Sequence, residues 1–252
     1  ALFGSIVIAR ELRSHWEDQR HVGILLPPTV AGALVNVAAP LCGKASVNLN
    51  YTVGKSGLEA AVQIAGLRTI VTSRLFVEKA KLELPEGPSI IWLEDVARTI
   101  GTGAKLFASL LALCTPVRLI ELACGQDTPL TMDDLATIIF SSGSTGEPKG
   151  VMLSHFNIDA NAQGANQTLH LYRNERVLGI LPFFHSFGYL VFWLAMYKNV
   201  GMVFHPSPLD VAAIGELVRR YRVTFLVTTP TFLQLYLRRC TPEQFSSLRE
   251  IG

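Results

Sequence analysis

Apolar positions along this chain alternate between short buried runs and longer stretches with helical spacing. Over Ser5–Glu17, Ile6, Ala9, Leu12 and Trp16 recur at helical intervals with charges between them, which predicts an amphipathic helix. "HVGILLP", His21 to Pro27, is a short apolar run stopped by prolines. That suits a buried parallel strand, followed by a helix over Val30–Leu41. "KASVNLN" reads as a second strand, Gly57–Ala65 as a helix, and "RTIVTS", Arg68 to Ser73, as a third strand. A helix over Leu75–Lys81 and a fourth strand in "PSIIWLED", Pro88 to Asp95, extend the same alternation. Strand and helix in turn predict the α/β class, with mostly parallel sheets flanked by helices.

The pattern weakens over Ile100–Leu130, where Leu106–Leu113 fits a helix, "VRLIELA" a strand and "ACGQDTPLTMDD" a loop. "LATIIF" is a further strand, led in by Asp133 and Asp134. Ser154 is placed to cap a helix that runs toward His170. "RVLGILPFF", "VGMVFH" and "VTFLVTTP" then read as strands, separated by helices at Leu190–Lys198, Pro208–Tyr221 and Thr231–Arg239. Pro208 and Pro230 lie at helix starts, where a missing N–H is harmless. At "SLREIG" another strand is beginning.

Two stretches approach membrane-span length. Pro27, Pro28, Asn36 and Pro40 interrupt Val22–Gly43, and Pro182, His185 and Ser186 interrupt Leu178–Tyr197. A span needs about 20 largely uninterrupted apolar residues, so both read as buried core.

Composition narrows the class. The 252 residues suit one large domain or two lobes, expected at 1–170 and 171–252, the second incomplete. Hydrophobic residues make up 49% and charged ones 17%, apolar but globular. A net charge of +2 without a Lys/Arg stripe excludes nucleic acid as the expected partner. Cys42, Cys114, Cys124 and Cys240 form no CxxC pair and have no histidine at zinc spacing. They read as free thiols in a reducing compartment, which makes the cytoplasm the expected location. Ala1–Arg10 has neither a basic leader nor an initiator Met, so a fragment or processed product is expected.

Candidate chemistry concentrates in "IIFSSGSTGEPKG", Ile138 to Gly150. The apolar end of a strand runs into a loop at a sheet's carboxyl edge, where open α/β sheets place ligands. Gly143 and Gly146 accept positive φ, which lets successive backbone N–H groups converge on one point. Ser141, Ser142, Ser144 and Thr145 add hydroxyl donors, and Lys149 adds a mobile cation. Many donors and one cation suit a polyphosphate. A Walker loop is excluded: counting from Gly143, its second glycine falls on Pro148, and Gly150 stands where Ser or Thr is required. No GxGxxG is present.

"SSGSTGEPKG" resembles the phosphate-binding loop of the adenylate-forming superfamily, which includes acyl-CoA synthetases, luciferases and peptide-synthetase adenylation domains. The resemblance continues in "VGILLP", "TIVTS", "GVMLSHFNI", "ILPFFHSFG" (Ile180 to Gly188) and "VTTPTFLQLYL". Within the superfamily, "LNYTVG" and "VTSRLFVEKAKL" look most like acyl–acyl-carrier-protein synthetases, often fused to 2-acylglycerophosphoethanolamine acyltransferases. The family's later adenine, ribose and magnesium-glutamate segments and its mobile lobe have no counterpart here. The chain therefore resembles a truncated N-terminal large domain of such an enzyme.

The resemblance implies an AMP-forming ligase. It would activate a fatty or other carboxylic acid with ATP and Mg2+, then transfer the acyl group to the thiol of CoA or of a carrier protein's phosphopantetheine. Ser142, Ser144 and Thr145 would hold phosphates, with Thr145 nearest the metal. Gly143 and Gly146 would shape the cradle, and Lys149 would offset pyrophosphate charge. His185 would orient the acyl carboxylate; the competing reading is a core histidine with one hydrogen bond. Phe184, Phe187 and Gly188 would line the acyl pocket or belong to plain core. His155 reads as a first-turn helix residue, and Asp133–Asp134 as a strand lead-in rather than a magnesium site. A peripheral contact with the inner membrane face follows from the fusion habit of the similar proteins. The alternative is a non-catalytic module that binds a nucleotide or partner.

Overall fold

The structure is a computed structural model that describes residues 1–142, 148–169 and 171–252. Its contacts divide the chain into two units, residues 1–26 with 31–156 and residues 27–30 with 157–252.

In the first unit, helix α1 (Leu2–Leu12) continues into a 3-10 turn, Arg13–Trp16, and leads to strand β1 (His21–Ile24). Helix α2 (Val30–Leu41), β2 (Ala45–Asn48), α3 (Gly54–Ala65), β3 (Thr69–Thr72), α4 (Arg74–Ala80) and β4 (Ser89–Trp92) keep the predicted alternation. Local residues set two of these helix boundaries. Gly66 ends α3 in the left-handed region at φ 59, and Ser73 starts α4 by accepting the Phe76 N–H. Two candidate spans of the sequence thus resolve into ordinary pieces, Val22–Gly43 here and Leu178–Tyr197 in the second unit. Among the described residues no single helix is long and apolar enough to cross a membrane.

Three readings change. "PSIIWLED" is a strand only to Trp92; Leu93 opens helix α5 (Leu93–Thr99). Glu94 accepts from the Ser73 hydroxyl at 2.7 Å, and Asp95 takes both Arg74 guanidinium nitrogens at 2.8 and 2.6 Å. Acids in a first turn also complement the helix dipole. Helix α6 (Thr102–Cys114) follows as expected, but "VRLIELA" is helix α7 (Val117–Ala123), not a strand. Its Leu, Arg, Glu and Ala are helix formers, and Pro116 presets the start. Finally, the helix expected after Ser154 does start there, but a strand that the sequence did not show precedes it. Strand β5 (Leu135–Ser142) turns back into β6 (Pro148–Ser154), and only then does helix α8 (His155–Thr168) begin.

The six strands are ordered β4-β3-β1-β2-β5-β6. All pairs are parallel except the last, where Ile138 faces Met152 and Ser141 faces Lys149 in antiparallel register. Neighbouring strand residues feed opposite faces, as the pleat requires. Ile24 and Val71 join Trp16, Val35, Ala108 and Leu111 on one side; Leu25 and Ile70 join Val47, Leu58 and Ile138 on the other.

The second unit repeats the plan on a smaller scale. Its elements are α8, β7 (Arg176–Gly179), α9 (Ser186–Lys198), β8 (Gly201–Phe204), α10 (Val211–Tyr221), β9 (Phe225–Leu226), α11 (Pro230–Arg239) and β10 (Glu250–Ile251). Its four strands are all parallel, in the order β10-β9-β7-β8. Val177 packs with Val191, Leu194 and Phe225, while Leu178 packs with Ile214, Val218 and Tyr236 on the opposite face. The α/β class with mostly parallel sheets is therefore observed in both units.

Candidate functional site

Strand β5 runs parallel to β2 and β1, so its Ser142 end lies at the carboxyl edge of the first sheet. Gly143, Ser144, Thr145 and Gly146, the centre of the expected cradle, lie outside the described residues. Their two supports do not. Ser142 closes β5 in register with Pro148, and Lys149 stands opposite Ser141, exposed where the chain returns. Gly150 faces Phe140 across the pair; a Cβ there would lie 3.0 Å from Ile138 Cγ2 and 3.4 Å from Phe140 Cε1. Pro148 opens an edge strand, where its missing N–H is tolerated. The sequence did not show β6 because backbone pairing forms it, not burial. Val151 and Met152 are both exposed.

Polar groups inside the unit brace β5. Thr137 donates from its hydroxyl to the Ser46 carbonyl at 2.7 Å, tying β5 to β2. At the carboxyl end of β2, Asn48 exchanges two side-chain hydrogen bonds with Asn36 of α2, at 3.0 and 2.8 Å. Both amides are buried, and Asn36 also donates to Gly32 O at 3.0 Å. This pair escaped the sequence reading. Its signal was present in two lone amides within the apolar runs "ALVNVAA" and "ASVNL".

Ahead of β5, Asp134 accepts from the Thr131 N–H at 2.6 Å and from its hydroxyl at 2.9 Å. These bonds hold its carboxyl below the usual range. Asp134 thus caps a turn, as the lead-in reading of Asp133–Asp134 expects. Among the described residues no group of three His, Cys, Asp or Glu side chains forms a metal cluster. His155 opens α8, its N–H donating to the Asp134 carbonyl at 3.0 Å. Burial lowers the His155 pKa, against a smaller pull from the Asp134 charge.

In the second unit, β7 delivers the chain to Ile180–His185 at that sheet's own carboxyl edge. His185 occupies the N-cap position of α9 and is exposed, so it is not a core histidine. Its N–H donates to the Pro182 carbonyl at 3.2 Å, its carbonyl accepts from Tyr189 at 2.9 Å, and its ring lies 4.7 Å from that of Phe184. Gly188 is required here, because a Cβ would come within 2.2 Å of the Pro182 carbonyl oxygen. Phe184 is buried and Phe187 exposed. Two other described histidines have local partners. His21 Nδ1 lies 2.8 Å from Ala65 O, and His205 Nε2 lies 3.6 Å from Asp210.

Both units are open α/β sheets with a candidate segment at the carboxyl edge, the position at which such sheets place ligands. The first presents a Ser/Gly loop flanked by a lysine, a polyanion-binding composition. A sequence profile described as AMP-binding enzyme matches residues 8–252. The chain belongs to this AMP-binding enzyme family.

Its curated relatives include probable 4-coumarate–CoA ligase 3 of Dictyostelium discoideum, 28% identical over 217 residues, which cover 81% of this chain and 39% of the relative. Feruloyl-CoA synthase of an Amycolatopsis species is 33% identical over 127 residues, covering 50% of this chain and 26% of that protein. The chain thus spans about two fifths of the length of the coumarate relative (39%). Among solved structures, o-succinylbenzoate coenzyme A synthetase from Bacillus subtilis, in complex with AMP, superposes with a TM-score of 0.77 at 22% identity. The match covers 98% of this chain and 58% of that one. The N-terminal domain of FACL13 from Mycobacterium tuberculosis gives 0.72 at 19%, covering 96% and 57%. These similarities show the fold, that of the N-terminal domains of adenylate-forming enzymes.

Proposed function

We propose that the protein is an AMP-forming acid–thiol ligase to which this chain contributes the pyrophosphate cradle and an acyl-side segment. The observation that carries this is the complete "SSGSTGEPKG" loop between β5 and β6, at a carboxyl sheet edge, in a chain of the AMP-binding family. In the first half-reaction a carboxylate oxygen attacks the α-phosphorus of ATP. The bond from that phosphorus to the bridging oxygen breaks, and pyrophosphate leaves. A thiol then attacks the acyl carbon and AMP departs. The first step brings an anion to a polyanion, so neutralisation and positioning set its barrier. Lys149 offsets pyrophosphate charge. Ser142, Ser144 and Thr145 donate hydroxyls, and Gly143 and Gly146 let the backbone approach. Thr145 would help to hold the magnesium that accompanies ATP, which would neutralise phosphate charge. His185, at the mouth of α9, orients the carboxylate.

The acid is proposed to be a fatty acid and the acceptor CoA or an acyl carrier protein, in the cytoplasm. The similarity of "LNYTVG" and "VTSRLFVEKAKL" to acyl–acyl-carrier-protein synthetases supports this. An aryl acid is the second reading, favoured by the coumarate and ferulate named in the curated relatives. The test is acid-dependent pyrophosphate release by the full-length gene product, over short to long fatty acids and hydroxycinnamates. Release with fatty acids supports the first reading and release with hydroxycinnamates the second. No release with any acid overturns the ligase assignment.

A further inference from the structure

Helix α6 carries two apolar faces. Ala108 and Leu111 pack into the core beside α1, as a surface helix should. Leu106, Leu110 and Leu113 lie on the opposite side, 63%, 62% and 83% exposed, and Val117, just past Pro116, is 63% exposed. Their spacing of four, three and four residues is that of a seam along which one helix packs on another. At about 100° per residue the three leucines fall in a narrow arc directly opposite the core-facing residues. A single exposed leucine is normal, whereas a contiguous apolar patch marks an interaction surface.

Charge and area indicate what covers the seam. Between Lys105 and Arg118 the sequence has no charged residue. Helices α5 to α7 balance Glu94, Asp95 and Glu121 against Arg98, Lys105 and Arg118. Arg98 pairs with Asp95 at 3.5 Å, and Arg118 with Glu121 at 3.2 Å. A face without net charge holds no attraction for anionic headgroups or nucleic acid. It fits its own copy. With α6 laid antiparallel across a two-fold axis, Leu110 meets Leu110 and Leu106 meets Leu113. Lys105, the only charged residue of α6, then lies beside the C-terminal end of the second copy's helix. The carbonyl groups there favour a cation, and the two Lys105 side chains stand at opposite ends of the contact. Leu106, Phe107, Leu110, Leu113 and Val117 together expose on the order of 600 Å². A symmetric contact would therefore bury roughly 1,200 Å², the lower end of the range for specific interfaces.

We propose that the protein forms a two-fold dimer through the outer face of α6, with Leu110 on the axis. The face belongs to the first unit alone, so the inference does not depend on the ligase reading.

The experiment is sedimentation velocity of the full-length gene product over a range of concentrations. The expected result is a reversible monomer–dimer equilibrium. Leu110→Glu should weaken association more than about a hundredfold, because the axis brings both copies of the change to one point. Its far-UV circular dichroism should match wild type, since residue 110 lies outside the core. Cross-linking tests the axis itself. In a Cys114→Ser background, Leu110→Cys should form a disulfide-linked dimer on mild oxidation, and Leu106→Cys should not. Mixed Leu106→Cys and Leu113→Cys proteins should cross-link to each other. The proposal is overturned if wild type stays monomeric at every concentration, or if Leu110→Glu dimerises like wild type. It is equally overturned if Leu110→Cys dimerises without cross-linking, or if the protein is a monomer that floats with phospholipid vesicles through these leucines. A dimer that releases no pyrophosphate retains this inference and loses the ligase one.

Discussion

Phe140 and Gly150 face each other across the β5–β6 pair, and the ring lies over the space a side chain at 150 would need. The glycine therefore leaves room on that face of the hairpin for the Ile138 side chain and the Phe140 ring. Gly150→Val should cost about 1–3 kcal/mol through overpacking against Ile138 and Phe140. Urea unfolding checks the stability, and pyrophosphate release should fall with it. Gly150→Ala should cost less, because its single Cβ meets Ile138 at 3.0 Å, a gap that small side-chain shifts can relieve.

Lys149 is exposed opposite Ser141, at the return of the loop, which suits a charge that meets a leaving polyanion. Lys149→Ala should slow adenylation by about ten- to a thousandfold, the range for removing one stabilising group at developing charge. Thiol transfer from preformed acyl-adenylate should be largely unaffected. Single-turnover kinetics of the two halves separate these effects, and equal damage to both would contradict the assigned role.

The Asn36–Asn48 pair predicts an asymmetry. Asn48→Leu leaves the buried Asn36 amide without its partner and should cost about 1–3 kcal/mol. Adding Asn36→Leu removes the orphan, so the double variant should be more stable than the sum of the two single losses. A double-mutant cycle in urea measures the coupling.

His155 gives a pH prediction. Burial lowers its folded pKa below the ordinary 6.5, so the unfolded chain binds the extra proton first. Stability should rise with pH across the window between the folded value and 6.5, and should be lost as pH falls through that window. His155→Gln should flatten this part of the profile of thermal midpoint against pH. Asp134 acts at lower pH. Its depressed folded pKa means stability present above 3.8 and lost as pH falls through the folded value.

Much of the architecture was legible because burial writes itself into periodicity. The runs around Val22–Ile24, Ile70–Val71 and Val177–Leu178 are buried on both sides, and each became a parallel strand. Segments held by something other than burial were misread. Strand β6 exists because β5 offers it an edge, α5 because Ser73 and Arg74 engage its acids, and α7 because its residues favour a helix despite their apolar run.

By itself the sequence determined the α/β alternation and the composition of the loop, since both depend on residue type and spacing along one chain. Only the tertiary structure decided the rest. It put His185 in solvent and not in the core, joined Asn36 to Asn48, required the missing side chain of Gly188 and left the leucines of α6 uncovered. Those properties depend on which residues distant in sequence arrive at the same place, and spacing along the chain carries no record of that.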